Sequence, residues 1–79
     1  MNEEKKIYSG EVCWFNSKKG YGFISYEING VKQTDIFVHY SDLCIEGYKA
    51  LYKEQKVNFT IGINKRGQPK AVDVVIISK

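Results

Sequence analysis

From residue 7 onwards the chain is a series of strand-like runs with no helical period, and apolar and polar residues alternate with a period of two in residues 35–40 and 55–63. Clusters of turn-forming residues break this pattern and leave five predicted strands, at residues 7–15, 21–28, 33–40, 55–63 and 71–77. The longest irregular stretch, residues 41–54, has room for one helical turn, which we expect Ser41 to cap. Five short strands without a long helix predict an all-β fold, a small closed or half-closed barrel.

The second and third predicted strands are separated by Asn29-Gly30, a dipeptide that tolerates the positive φ angles of a tight hairpin turn. These strands are therefore expected to be antiparallel neighbours. Because side chains two residues apart share a face, Ile36 and Val38 should lie on one side of the sheet. Phe37 and His39 should lie on the other side. The same rule predicts a shared apolar face in the fourth strand, formed by Val57, Phe59, Ile61 and Ile63.

The chain has 79 residues, of which 43% are hydrophobic and 27% charged, a balance that suits one small globular domain. It is too short for separate cofactor and substrate domains. No run approaches the roughly 18 apolar residues of a membrane span, and residues 1–6 lack the apolar core of a signal peptide. We expect a cytoplasmic protein with a flexible N-terminal extension at residues 1–6 and a single domain at residues 7–79.

The two cysteines, Cys13 and Cys44, are expected to be free thiols, because a protein without a signal peptide stays in a reducing compartment. Together with the single histidine, His39, they are fewer than the four ligands that a structural zinc ion usually has. The sequence therefore predicts no metal, and it indicates no cofactor.

The aromatic residues are the strongest indication of function. Residues 19–26 fit the pattern K/R-G-F/Y-G/A-F-V-x-F/Y of RNA-binding strands if Ile24 stands for valine. Tyr21 and Phe23 then lie about 7 Å apart on one face, a spacing that suits the stacking of successive unpaired bases. The intervening glycines would leave room for the ligand, and Lys19 would supply a cation for phosphate.

A second aromatic segment repeats this arrangement, because the predicted hairpin places Phe37 and His39 beside Tyr21 and Phe23. Trp14 on the first strand would extend the same surface. The alternative is that the rings belong to the core, that the glycines only relieve strand curvature, and that His39 is structural. The second segment favours an exposed binding surface, because solvent-facing rings at this density are costly unless they bind something. In the second half of the chain, the aromatic residues expected as core or loop anchors are Tyr48, Tyr52 and Phe59.

The net charge of +3 is small, but basic residues flank the ring motifs and the last turn. They form a candidate phosphate track, although solvation alone would also explain them: Lys18, Lys19, Lys32, Lys65, Arg66 and Lys70.

Catalysis is not expected, since His39, Ser41 and Asp42 are near neighbours in an extended segment and cannot converge on one reacting atom. A small barrel that binds a protein partner with the same rings is the alternative function. Competition by an oligonucleotide and loss of binding in salt would distinguish the two.

An RNA-recognition motif domain would need two helices packed on its sheet, so a barrel of the OB type fits these motifs better. Residues 10–24 resemble the cold-shock domain pattern G-x-V-K-W-F-N-x-x-K-G-F/Y-G-F-I, and residues 35–40 resemble its D-V-F-V-H-F/Y segment. Residues 47–51 and 67–74 are similar to later segments of the pattern. The resemblance spans residues 7–76, and the chain looks like a bacterial-type stand-alone cold-shock protein.

This resemblance implies a five-stranded antiparallel OB-type barrel that binds single-stranded RNA and DNA. Proteins of this kind act as RNA chaperones, and some affect transcription termination and translation. The resemblance also implies base-stacking roles for Trp14, Tyr21, Phe23, Phe37 and His39, with Tyr40 as a flanking ring. Lys19 would contact the nucleic-acid backbone, and Lys65 and Arg66 would border the ligand. We expect a monomer with no small-molecule substrate and no membrane partner.

Two departures from the family pattern affect this interpretation. Cys13 replaces the lysine before the tryptophan, which removes one cation that Lys18 or another residue of the basic turns would have to replace. The turn between the two ring motifs is also longer than in the pattern, so residues 28–34 are expected to form an extended hairpin tip that carries Lys32.

Overall fold

The structure, a computed structural model, describes residues 6–45 and 50–78. Its strands are β1 (Tyr8–Asn16), β2 (Tyr21–Ile28), β3 (Val31–Lys32), β4 (Ile36–His39), β5 (Lys56–Ile63) and β6 (Pro69–Ser78), with a 3-10 turn at Tyr40–Asp42. Five of these strands correspond to the five predicted ones. The sixth, β3, is a two-residue strand that lengthens the hairpin after β2.

The five main strands close into a barrel in the order β1-β5-β6-β4-β2, with β2 pairing back to β1. All neighbours are antiparallel except β4 and β6, which pair in parallel at Phe37–Lys70 and Val38–Ala71. The predicted five-stranded OB-type barrel is confirmed, with one parallel pair among its otherwise antiparallel neighbours. An odd number of strands cannot alternate in direction around a closed ring, so at least one neighbouring pair must be parallel.

The barrel interior is filled by side chains from alternate strand positions. Ile36 and Val38 are 3% and 0% exposed, and Phe59 is 1% exposed, as the alternation predicts. The other residues of the apolar core cluster are Val12, Ile24, Leu43, Leu51, Val57, Ala71 and Val74. Because Ile36 and Val38 point inwards, the other two residues of β4 are left on the outer face.

The alternation predicted for β5 holds only in its first half. Ile63 is 65% exposed, Ile61 is half-buried, and the intervening pattern is broken by Thr60, which is buried. The pairing of β5 with β6 shifts its register between Asn58 and Thr60, and the extra residue of this β-bulge lies on β6, because two steps along β5 match three steps along β6. Ile63 does not extend the buried row of Val57 and Phe59, contrary to the expectation of one continuous apolar face.

The hairpin after β2 has the predicted tight turn, with φ angles of 52° at Asn29 and 82° at Gly30. β3 pairs with the end of β2 at Glu27–Lys32 and Ile28–Val31, which confirms an extended tip. The predicted third strand, residues 33–40, is shorter in the structure, because the ladder with β2 resumes only at Ile36.

Several other predictions concern the margins of the barrel. Tyr52 is 65% exposed, so its ring is not part of the core, and Tyr48 lies outside the described residues. Residues 1–5 of the predicted N-terminal extension also lie outside the described residues.

Within residues 6–45 and 50–78, no helix has the length and apolar character needed to cross a membrane. Both cysteines are free thiols in the structure, and the described residues contain no cluster of potential ligands that would hold a metal ion.

Candidate nucleic-acid interface

Three adjacent strands carry the predicted ring residues onto the outer surface of the barrel. In the strand pairing, Phe23 lies opposite both Trp14 on β1 and Phe37 on β4, and Tyr21 lies opposite His39. Residues directly opposite each other project to the same side of a sheet. The buried neighbours Ile24 and Val38 point into the core, so the rings point outwards.

Trp14 reaches this surface through an irregularity in β1. Val12 is 1% exposed, and a regular strand would turn Trp14 inwards as well, since the two residues are two positions apart. The register instead shifts between Val12 and Trp14, which makes Cys13 the extra residue of a β-bulge. The bulge reverses the alternation, and Trp14 is 44% exposed beside Phe23.

The rings form one continuous cluster, which we call the aromatic face. Trp14 lies 5.5 Å from Phe23 and 5.6 Å from Tyr21 between ring centroids. Phe37 lies 5.8 Å from Tyr21 and 5.9 Å from Phe23. His39 lies 6.5 Å from Phe37 and stacks on Tyr40 at 4.5 Å. The aromatic face thus consists of Trp14, Tyr21, Phe23, Phe37, His39 and Tyr40.

The two glycines of the motif have a packing role that differs from the predicted one. Gly22 points inwards, where a β-carbon would overlap the Trp14 carbonyl oxygen and lie 2.7 Å from the α-carbon of Phe15. Gly20 has a φ of 80°, and its β-carbon would overlap Cδ2 of the Tyr40 ring and lie 2.9 Å from Cε2. The prediction that these glycines leave room for the ligand was therefore wrong, because they leave room for β1 and for Tyr40.

The 3-10 turn at Tyr40–Asp42 fixes the orientation of His39. His39, and not Ser41 as predicted, is the N-cap of this turn, and its Nδ1 accepts a hydrogen bond from the backbone N–H of Ser41 at 3.2 Å. The Ser41 hydroxyl lies 2.9 Å from the same nitrogen. An Nδ1 that accepts cannot carry a proton, so the neutral ring has its N–H on Nε2.

Cations stand at both ends of the aromatic face. Lys18 and Lys19 are exposed in the turn before Tyr21, where the backbone N–H of Lys19 donates to Asn16 Oδ1 at 2.9 Å. Lys65 and Arg66 are exposed in the turn between β5 and β6 at the other end. Lys70, also considered for the phosphate track, has its ammonium 3.3 Å from Asp42 and is held in that ion pair.

An open groove of about 700 Å³, which we call the basic groove, runs between the Phe23 end of the aromatic face and the last turn. It is lined by Phe23 and Phe37 on one side and by Lys65 and Arg66 on the other. The groove also contains Asp35, Asn64, Gln68 and Pro69, which the sequence analysis did not place in the site. An asparagine in a turn could have indicated the shape of this wall. Asn64 is the turn residue whose Oδ1 accepts from the backbone N–H groups of Arg66 and Gln68.

Cys13 and Asp35 meet at the rim of the basic groove. The Cys13 thiol lies 3.5 Å from Asp35 Oδ2 and donates to it. Burial raises the pKa of the Cys13 thiol, and the Asp35 carboxylate raises that pKa further, while Ser25 and Lys32 act in the opposite direction. Cys13 is therefore a protonated thiol at neutral pH and adds no cation to the face.

Comparison with known proteins identifies the family. The model of the "'Cold-shock' DNA-binding domain" family matches residues 8–77. The chain is 46% identical over 68 residues to a cold shock-like protein of Thermotoga maritima, which covers 86% of the chain and 96% of the relative. It is 45% identical over 67 residues to the major cold shock protein CspA of Bacillus cereus, with 85% and 92% covered. It is 42% identical over 69 residues to the cold shock-like protein CspA of Vibrio cholerae, with 87% and 93% covered.

The match to the family model extends over nearly all of the barrel and spans the positions of every ring of the aromatic face. The chain therefore belongs to the cold-shock domain family, whose members are nucleic-acid-binding β-barrel proteins and not enzymes.

Proposed function

We propose that the protein binds single-stranded RNA and DNA by stacking unpaired bases on the aromatic face, and that it acts as an RNA chaperone. It does so in the cytoplasm as a monomer, and by keeping transcripts unstructured it affects transcription termination and translation. The observation that carries this proposal is the continuous contact of six exposed or half-exposed rings from three strands and one turn.

Stacking explains why the ligand is single-stranded and why its sequence matters little. Each base stacked on an aromatic side chain contributes about 1–3 kcal/mol, and every base has a π-face. In a duplex these faces are covered by neighbouring base pairs. The aromatic face therefore has a partner in an unpaired strand and none in a closed helix.

The cations at both ends of the face support a contribution from phosphate. Lys19 and Lys18 stand beside the Tyr21 end, and Lys65 and Arg66 line the basic groove at the Phe23 end. Each phosphate that such a residue neutralises on a single strand changes the slope of log affinity against log salt by about −0.7. Binding is consequently expected to weaken in salt, but not to vanish, since the stacking contribution remains.

Chaperone activity follows from preferential binding and needs no ATP. A protein that binds the open strand and not the hairpin stabilises the open strand by an amount that grows with the ratio of free protein to its dissociation constant. Weak hairpins open at modest ratios, and stable helices do not.

The single tryptophan, Trp14, allows a direct test. A short oligothymidylate or oligouridylate is titrated into the protein at low and moderate salt, and Trp14 fluorescence is recorded with a matched duplex as control. The expected result is saturable quenching by the single strand that weakens with salt and is absent with the duplex. No quenching in a protein that circular dichroism shows to be folded would overturn the proposal and favour a protein partner for the aromatic face.

A further inference from the structure

Lys32 lies on the side of the extended hairpin that continues the aromatic face. It pairs directly with Glu27 across β2 and β3, and residues directly opposite each other in an antiparallel pair project to the same side. Glu27 shares its side of β2 with Phe23, because the two are an even number of residues apart and the pairing of β2 with β1 shows no extra residue on β2 from Tyr21 to Tyr26. The hairpin tip therefore brings a lysine to the Phe23 end of the face.

Asp35 places a negative charge where the proposed ligand would carry phosphates. Its side chain lines the basic groove together with Phe23 and Phe37. One oxygen, Oδ2, accepts from the Cys13 thiol at 3.5 Å, and the other, Oδ1, lies 3.8 Å from the ammonium of Lys32. Asp35 lies on the wall of the basic groove that is opposite Lys65 and Arg66. The positive charge of Lys32 offsets the negative charge of Asp35 there.

The ammonium of Lys32 keeps its capacity to bind a ligand. Its separation of 3.8 Å from Asp35 exceeds the roughly 2.7–3.2 Å of an N–H···O hydrogen bond, so the contact is an ion pair without a shared proton. The side chain is 66% exposed, and an ammonium has three donors. These donors can turn towards a phosphate without giving up the attraction to Asp35.

We propose that Lys32 contacts a phosphate of the bound single strand, so that the hairpin formed by β2 and β3 is part of the binding surface. A strand stacked on Phe23 and Phe37 would then have its backbone between two basic walls, the hairpin on one side and the last turn on the other. This inference rests on the proposed function and adds to it a residue and an edge of the binding surface.

The test compares the salt dependence of oligothymidylate binding in the protein and in Lys32→Gln, measured by quenching of Trp14. Loss of one phosphate contact should reduce the slope of log affinity against log salt by about 0.7, which corresponds to about a fivefold loss of affinity near 0.1 M salt. The two proteins should converge in affinity as the salt approaches 1 M. An unchanged slope would overturn the inference.

Lys6→Gln is the matched control. Lys6 is also an exposed lysine, with its ammonium 5.6 Å from the centroid of the Tyr8 ring, and its substitution removes the same charge. The cavity that Lys6 lines contains no residue of the aromatic face, the basic groove or the hairpin, so the slope of Lys6→Gln should remain that of the unmodified protein. An equal loss in both variants would show that binding responds only to net charge, and it would overturn the contact.

The Asp35→Asn variant distinguishes two roles of Lys32, which are contact with a phosphate and neutralisation of the Asp35 charge. If Lys32 touches phosphate, Lys32→Gln lowers the affinity and the slope in the Asp35→Asn background as well. If Lys32 only masks Asp35, its effect disappears in that background, and the inference fails. Failure of the proposed function looks different, because the unmodified protein would then show no quenching at all.

Discussion

Replacing Phe37 by leucine tests whether the rings bind a ligand or only cover the barrel. Phe37 is the centre of the aromatic face. The centroid of its ring lies 5.8, 5.9 and 6.5 Å from the ring centroids of Tyr21, Phe23 and His39. Leucine keeps much of the apolar volume but removes the π-face, so a change of less than about 1.5 kcal/mol is expected in the free energy of unfolding. A lost stacking contact of about 1–3 kcal/mol should weaken binding about 5- to 150-fold.

The assay is titration of Trp14 fluorescence with oligothymidylate, together with urea denaturation of each variant. Phe37→Tyr is the control, because it keeps a ring in the same position and should bind within a few-fold of the unmodified protein. A folded Phe37→Leu variant with undiminished affinity would refute the argument that stacking on this ring contributes to binding. Equal losses in Phe37→Leu and Phe37→Tyr would also refute it, since the ring could not then be the cause.

Two further predictions concern positions beneath and beside the rings. Gly22→Ala should lower the free energy of unfolding by about 1–3 kcal/mol in urea denaturation, because its β-carbon overlaps the Trp14 carbonyl and approaches Phe15 to 2.7 Å; unchanged stability with weakened binding would instead mean that the glycine leaves room for the ligand. Cys13 should react slowly with iodoacetamide at neutral pH, because burial and then the Asp35 carboxylate raise the pKa of its thiol and deplete the reactive thiolate. Asp35→Asn should speed this reaction, which mass spectrometry of the alkylated protein would follow, and identical rates would contradict a role of Asp35 in that pKa.

The parts of the fold that sequence could predict are those in which the chain is locally regular. In β4, strict alternation placed Ile36 and Val38 inside, and both are at most 3% exposed. The Asn29-Gly30 turn has the positive φ angles that its residue types favour. The turn sets the register of β2 against β3, but the ladder between β2 and β4 runs one residue out of that register, so the direct opposition of Phe23 and Phe37 does not follow from the turn. Only the shared outer face of Tyr21, Phe23, Phe37 and His39 could be derived, from the alternation within each strand.

The parts that could not be predicted depend on pairing between distant strands. The β-bulge in the pairing of β5 with β6 lies on β6, where Asp73 has a φ of 52°, and the pattern of apolar residues in these strands does not predict it. The parallel pairing of β4 with β6 follows from closure of the ring and not from either strand alone. Ser41 has the residue type of a cap, but His39 takes that role because the 3-10 turn begins at Tyr40 and the His39 side chain accepts from the backbone N–H of Ser41.

The aromatic face also depends on two irregular positions, the β-bulge at Cys13 and the close approach of strands at Gly22. Trp14 is on the outer surface only because the bulge at Cys13 reverses the alternation after Val12. It lies 5.5 Å from Phe23 only because Gly22 allows the β1 backbone to approach β2 closely. A chain with every ring in place but a larger residue at position 22 would still match the ring motif, yet β1 would have to move away and carry Trp14 with it. Continuity of the face therefore depends on the bulge and on a missing side chain as much as on the rings, and Gly22→Ala should reduce quenching of Trp14 as well as stability.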